Sequence, residues 1–505
     1  MARLDEATLQ QALAQLVGAE LLYQRGVPLQ ATYLFKHALI QDTAYQSLLK
    51  STRQQYHQRI AQVLEQQFPE TVDTQPELLA QHYTEAGLLA QAIPYWQRAG
   101  QCASERSANL EAISHLTKGL ELLNTLPDTL EHRQQELDMQ TTLGGALSDT
   151  KGLAAPEVAA AYHRARELCQ QVGEPSQLLP VLRGLVFLYV NRGEFQTARE
   201  LGEQMLSLAQ RVQDPVGLAD AHIMLGNTLF FLGERGSVRP HLEQGIALYN
   251  SQPHRSHVLS RDHLGVFGLS RLAGVLWDLG YPDQALQRSQ EALTLARELA
   301  HPFSLATALI FAADVHQRRR EAHMTYEWAE EALVLSREQG FALRLTQATV
   351  LRGWALVEQG QGEAGIAQIR QGLVAYRATG VATPGYLGLL VEAYKNVGQI
   401  EEGLRVIEGR RGAGLSRLKG ELLLTLSSEH QAEAETCFHQ ALEAARHQQA
   451  KSLELRAAMS LSRLWQRQGK RAEAYELLAS VFNWFTEGFD TADLQEAKAL
   501  LEELG

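Results

Sequence analysis

Glycines recur after apolar helical stretches at Gly193, Gly233, Gly280, Gly360, Gly398 and Gly469, and Gly87 has the same setting nearer the N-terminus. Steps of 40, 47, 80, 38 and 71 residues separate the six. If the 80 is two units, with the chain turning at Arg320, and the 71 is two imperfect units, a period of about 40 residues runs along the sequence. Each unit then reads as a helix ending in glycine, a turn of a few residues and a second helix, because glycine suits the left-handed residue that closes the first. A chain with such a period cannot bury one central core. Each hairpin leaves an apolar face that only the next hairpin covers, so stability must come from stacking along an array.

Small and aromatic residues inside the units narrow the type of hairpin. Leu225-Gly226 with Leu229 fits a Leu-Gly-x-x-Tyr pattern in first helices, as do Leu79-Ala80 with Tyr83 and Leu390-Val391 with Tyr394. In second helices, Ala92, Trp96 and Ala99 fit an Ala-x3-Phe-x2-Ala pattern, as do Ala285 with Ala292, and Ala434, Phe438 and Ala441. The period alone also suits HEAT repeats; the position-specific residues favour tetratricopeptide units. The expected fold is an all-α, tetratricopeptide-type solenoid wound as a right-handed superhelix. A chain of 505 residues rich in Leu, Ala, Glu, Gln and Arg, with 14 prolines, is consistent with a mostly helical composition.

Two regions break the pattern. Residues 1–67 lack the repeat and contain an expected strand pair, Glu20 to Arg25 and Ala31 to His37, joined across Gly26-Val27-Pro28 and followed by two helices. This reads as a partial winged-helix-like segment with a wing hairpin. Repeats then occupy 68–408. Between Gly398 and Lys419, Gly403, Gly409, Gly412 and Gly414 interrupt a space too short for a full hairpin, so a compressed unit is expected before the C-terminal repeats of 409–505.

The sequence offers no catalytic constellation and calls for no cofactor or metal. Gly469-Lys470-Arg471 lacks the following Ser or Thr and the upstream glycine of a phosphate loop, and Gly412-Ala413-Gly414 follows no strand. His254, His257 and His263 could in principle hold zinc, yet no cysteine or spaced carboxylate accompanies them, so they read as a solvated loop. Arg318-Arg319-Arg320 reads as a solvated helix end rather than a phosphate site. A net charge of -12 argues against a primary grip on nucleic-acid phosphates. Cys102, Cys169 and Cys437 are dispersed and odd in number, which fits a reducing, cytoplasmic setting. The N-terminal stretch lacks the apolar core of a signal peptide, and no stretch reads as a membrane span.

In a stack of hairpins the first helices line the concave face. Aligning the units on their terminal glycines puts Arg183, Asn191, Asn227, Phe230, Trp277, Asp278, Asp314, Trp354 and Glu358 near that face. These are the candidate partner-binding residues, the aromatics as anchors and the polar groups fixing register. The competing reading is that several, Phe230 and Trp354 above all, pack against the neighbouring repeat.

Beyond these patterns, particular segments resemble a family of bacterial signalling proteins that join a class III adenylate/guanylate cyclase domain, a regulatory P-loop ATPase of the signal-transduction type and a C-terminal tetratricopeptide array. Phe35-Lys36-His37-Ala38-Leu39-Ile40-Gln41-Asp42 resembles the segment that follows the ATPase module, and Leu79-Ala80-Gln81-His82-Tyr83 the approach to the repeats. Gly280-Tyr281-Pro282-Asp283-Gln284-Ala285-Leu286, Arg352-Gly353-Trp354-Ala355 and Arg417-Leu418-Lys419-Gly420-Glu421-Leu422 look like its repeat signatures, as does Ala450 through Glu454 to Gly469-Lys470-Arg471. The resemblance covers nearly the whole chain. It implies regulation rather than chemistry, with cyclase carboxylates and the ATPase phosphate loop upstream of the matched segment.

The leading expectation is therefore a non-catalytic, cytoplasmic module that binds a protein or peptide, with a separate ATPase or cyclase domain as one such partner. Two alternatives remain: a C-terminal fragment of a cyclase/ATPase protein with no independent role, and a winged-helix transcription regulator. The second needs a basic recognition helix, and Ser51 to Phe68 supplies only Arg53 and Arg59 as clear candidates.

Overall fold

A computed structural model of the chain describes residues 5–26, 31–173, 175–251, 263–379, 386–410 and 412–505. His254 and His257, and the Val27-Pro28 link of the expected hairpin, lie outside the described residues. The chain divides into two compact units, one of residues 1–99 with 122–126, the other of 100–121 with 127–505.

The first unit begins with α1 (Glu6–Gly18), capped by the Asp5 side chain accepting from the Thr8 amide. Strands β1 (Leu22–Arg25) and β2 (Thr32–Phe35) pair antiparallel, Leu22 opposite Phe35 and Arg25 opposite Thr32. Four helices follow: α2 (Ala38–Gln46), α3 (Lys50–Gln67), α4 (Pro69–Thr74) and α5 (Pro76–Glu85). Ala61, Val72, Leu79, Tyr83 and Ala92 form the buried centre of this unit. Beside it Glu65 accepts from the hydroxyls of both Tyr83 and Tyr95, at 2.8 and 2.5 Å. Burial and that carboxylate push the Tyr83 hydroxyl up to about 12. Helices α6 (Leu89–Glu105) and α7 (Asn109–Leu123) each contribute residues to both units.

The second unit is a succession of helical hairpins. They are α8 (Leu130–Lys151) with α9 (Pro156–Val172), α10 (Leu178–Arg192) with α11 (Phe195–Val212), and α12 (Pro215–Leu232) with α13 (Arg235–Asn250). Next come α14 (Leu264–Asp278) with α15 (Pro282–Leu299), α16 (Pro302–Arg318) with α17 (Ala322–Gln339), and α18 (Ala342–Glu358) with α19 (Gly362–Ala378). The last are α20 (Leu387–Asn396) with α21 (Ile400–Ile407), α22 (Ala413–Leu426) with α23 (Gln431–His447), α24 (Lys451–Arg467) with α25 (Arg471–Phe482), and the closing helix α26 (Ala492–Leu504). This is the tetratricopeptide-type helical solenoid. Helix α21 has only eight residues.

Local chemistry sets the joints. Each repeat glycine named above has a positive φ, and where the series skips one, Arg320 takes the left-handed conformation itself, at φ 65. That costs a non-glycine residue about 1 kcal/mol, and the Arg320 guanidinium offsets it by pairing with Glu496 at 2.6 Å and Asp493 at 3.5 Å. Small residues fix helix approach. A Cβ on Gly353 would lie 2.8 Å from the Gly365 carbonyl oxygen, and one on Gly365 2.5 Å from that of Gly353, so α18 and α19 cross backbone to backbone. Helix α12 is apolar and long enough to cross a membrane by length and composition, with mean hydropathy 1.2, but 67% of that window is buried inside the protein. It is a core helix packed against α11 and α13.

First helices touch one another in succession from α10 to α24, forming the inner wall of the winding. The winding is tight enough that successive turns meet every four or five hairpins. Ser107 reaches His301 at 3.3 Å, Arg235 reaches Gln448 at 2.8 Å, and the Ser452 hydroxyl donates to the Trp277 carbonyl at 2.5 Å. Arg319 pairs with Asp490 at 2.9 Å. An ideal one-dimensional array has only neighbour contacts; this unit adds a second set across the turns.

Candidate functional site

The candidate residues fall into three settings. Arg183 and Asn227 belong to the core, 4% and 2% exposed, and Arg183 pairs with Asp220 at 3.2 Å while its guanidinium stacks 5.7 Å from the Phe187 ring. Burial pushes the Asp220 carboxyl up despite that partner. Asn191, half-buried at the end of α10, donates from its side chain to the Phe187 carbonyl at 2.8 Å.

Phe230, Trp277, Asp278 and Asp314 come together. They line a groove of about 460 Å³ with Phe231, Arg235, Arg318, Tyr386, Leu389, Glu392, Leu415, Arg417, Gln448 and Arg456. An ion-pair chain sets its charged side: Arg235 to Asp278 at 2.9 Å, Arg318 to Asp278 at 2.8 Å, and Arg318 to Asp314 at 2.7 Å. The Trp277 ring is clamped between two guanidinium groups, Arg318 at 5.3 Å and Arg456 at 4.8 Å. Burial works against the Arg318 charge, but Asp314 and Asp278 more than offset it and hold the proton more firmly. Burial, then Asp314, pushes the Tyr386 hydroxyl well above its ordinary range. Trp277 and Asp278 are 3% and 1% exposed, so they support the floor, whereas Phe230, Phe231, Asp314, Tyr386 and Leu389 keep open surface.

Trp354 and Glu358 line a second, smaller space of about 220 Å³ that shares Glu392, Arg417 and Arg456 with the first. Trp354 is 1% exposed and donates from its indole to Glu392 at 3.1 Å; Glu358 stays exposed and accepts from Asn396 at 2.6 Å. Glu421 here is half-buried, yet Arg417 and Lys395 more than offset the cost of that burial and hold its carboxyl down to about 2.

The basic run is corrected by the structure. Arg319 is 5% exposed and binds Glu321 and Asp490, Arg318 lies in the groove, and Arg320 pairs across turns. Each cation finds its carboxylate within the fold, so the run is no solvated helix end. His263 is likewise buried, its ring against the Tyr249 hydroxyl at 3.2 Å, rather than part of a solvated loop. Alignment on the glycines also missed Arg456, Gln448 and Tyr386, because the winding rather than the repeat brings them to the groove.

No family model matches the sequence. An uncharacterized protein of Rhizobium meliloti (strain 1021) is 25% identical over 397 residues, 77% of this chain, and the match spans 38% of that protein's length. Among solved structures, the Cut9–Hcn1 hetero-tetramer of the APC/C is similar over 90% of this chain and 94% of that one, at 13% identity and a TM-score of 0.48. A signal transduction ATPase with numerous domains carrying a tetratricopeptide repeat sensor, from Pyrococcus horikoshii, matches over 75% of this chain and 53% of that one, at 9% identity and a TM-score of 0.37.

Proposed function

We propose that the chain is a non-catalytic, cytoplasmic module that binds a protein or peptide in the groove bounded by Phe230, Phe231, Asp314, Tyr386 and Leu389. One observation supports this most: the inner face gathers open aromatic and aliphatic side chains on one side and a fixed ion-pair chain on the other, within a single groove. Apolar anchors beside preset charges are what recognition of an extended or helical segment uses. Trp277 and Asp278 hold this surface in shape. The finer reading is regulatory: the partner is an ATPase or nucleotide cyclase portion of a signalling system, and residues 1–67 are a partial winged-helix-like segment leading into the repeats. That reading rests on the segments around Phe35 to Asp42 and Leu79 to Tyr83, with the β1–β2 hairpin consistent with it.

The test is affinity capture from the native host by the full chain against Leu389→Arg and Asp314→Asn variants, with circular dichroism confirming the fold of each. A partner captured by the parent and lost from both variants is the expected result. Capture of the same proteins by folded variants would refute the groove as the binding surface.

A further inference from the structure

The smaller space is walled by α18, α20, α22, α24 and α26, with Arg320 beside them. Of the described residues that line it, only Trp354 and Met459 are apolar, and both are buried. The rest of the lining is charged or carries an amide or hydroxyl group, which makes it a poor seat for an apolar side chain and a good one for a small polar molecule.

The charges in this lining fall into two sets. In the first, five cations share three carboxylates. Lys395 and Arg417 meet Glu421 at 2.7 and 2.5 Å, and Arg456 and Arg320 meet Asp493 at 2.6 and 3.5 Å. Arg320 and Arg463 meet Glu496 at 2.6 and 3.1 Å. The second set is Glu358 and Glu392, which accept only from neutral donors, the Asn396 amide at 2.6 Å and the Trp354 indole at 3.1 Å. Among the described residues no cation pairs with either. Glu358 keeps open surface, yet burial and then the Glu392 carboxylate push it up from its ordinary range, against Arg320 and Lys395. The lining is therefore neutral as a whole and polarised within, positive in excess at the first set and negative at the second.

Such a lining disfavours an ion of one sign. A lone anion meets Glu358 and Glu392, and a lone cation meets the arginine-rich set. A molecule with both an ammonium and a carboxylate answers each set with charge-assisted hydrogen bonds, and guanidinium groups suit the carboxylate end. The volume of about 220 Å³ is that of about seven water molecules, which matches a small amino acid. From this geometry we infer that the space binds a free amino acid with a small polar side chain, its ammonium on Glu358 and Glu392 and its carboxylate on the arginine-rich set. This site does not depend on the peptide-binding reading above, although Glu392, Arg417 and Arg456 are walls of both spaces.

The probe is L-serine, titrated into the full chain at constant ionic strength by calorimetry and thermal shift. Two relatives each keep one of its charges: ethanolamine has the ammonium and 3-hydroxypropionate the carboxylate. Serine should give a saturable response and the two relatives none. Glu358→Gln, at an exposed helix end, should weaken serine in part, and Glu358→Gln with Glu392→Gln by about tenfold or more. The double variant leaves the lining positive, so 3-hydroxypropionate should gain a saturable response there, a change that damage to the fold would not produce. Circular dichroism confirms the fold of each variant. No saturable response to serine, a response to either relative that matches serine, or serine binding that survives in the folded double variant would each overturn the assignment. So would a folded double variant that gains nothing for 3-hydroxypropionate.

Discussion

Glu487 caps helix α15 at Asp283 across 204 residues of chain. One carboxylate oxygen of Glu487 accepts from the amides of Asp283 and Gln284, each at 3.0 Å, while the Gly488 amide donates to the Asp283 carboxylate at 2.9 Å. The exchange has the reciprocity of a capping box, in which each partner satisfies a free amide of the other. Here the two partners come from different turns of the winding rather than from one helix end.

Glu487→Ala should therefore uncap α15 and loosen the contact between turns together. A lost N-cap costs about 1 kcal/mol, and the segment Asn483 to Thr491 should become the first site of limited proteolysis. Urea unfolding of the variant, read beside a protease time course, checks both. An unchanged cleavage pattern would mean that the segment is held by Trp484 against Tyr281, whose rings lie 5.4 Å apart, rather than by the cap.

Arg456 is the second tie. Its guanidinium stacks on Trp277, pairs with Asp493 at 2.6 Å and donates to the Arg318 carbonyl at 2.6 Å. Arg456→Ala removes all three and should destabilise by about 2 kcal/mol, in the range of hydrogen bonds to charged groups. Arg456→Lys should recover part of that, because an ammonium can pair with Asp493 but cannot lie flat on the indole as a guanidinium does. Chemical denaturation of the pair of variants gives the comparison.

Gly353→Ala probes the α18–α19 crossing. The added methyl would lie 2.8 Å from the Gly365 carbonyl oxygen and 2.9 Å from the Ile369 amide, both backbone atoms that cannot swing aside. Overpacking of this kind costs about 2 kcal/mol. Gly274→Ala, on α14, meets nothing within 4 Å and is the control. It should leave stability unchanged or slightly raised, since alanine favours helix.

These relationships mark how far the sequence could be read. The hairpins were legible because a left-handed residue ends most of the first helices, so glycine marks the joint, and a joint without one was placed at Arg320; the turn after α22, where Ser427 is extended, carries no such mark. The aromatic and acidic side chains of α12, α14 and α16 were legible as an inner face for the same reason: the period fixes which positions share it. What the period cannot carry is the pitch of the winding. Asp490, Asp493 and Glu496 meet Arg319 and Arg320 only because a later turn lies against an earlier one, so a run of three arginines judged by its own neighbours looks solvated when each is paired. The surroundings of Arg271 were hidden for a related reason: its guanidinium lies 5.0, 5.8 and 4.9 Å from the rings of Phe230, Phe267 and Phe311 on three first helices, α12, α14 and α16, and nothing in the local sequence distinguishes it from a surface cation.

Two histidine pairs give the chain a pH dependence of definite sign. His57 and His82 meet Nδ1 to Nδ1 at 2.8 Å in the first unit, and His222 and His241 at 2.9 Å in the second. One nitrogen of each pair can donate only while the other accepts, so a second proton breaks the contact. Burial holds His82, His222 and His241 below the ordinary 6.5; the paired ring adds to this at His82 and His222, and Glu85 opposes it at His82. The unfolded chain therefore binds protons that the folded chain refuses, and stability rises with pH through that window. The contribution is complete above 6.5 and is lost progressively as pH falls below it. Thermal unfolding followed from about pH 7 down to about pH 5 should show a falling midpoint, partly flattened in His241→Gln and flattened further when His82→Gln is added. A midpoint that falls equally in the parent and in the double variant would assign the acid sensitivity to carboxylates instead. The window separates those too: Glu421, held down to about 2, gives its stability above 4.5 and loses it only as pH falls below that, after the histidines have titrated.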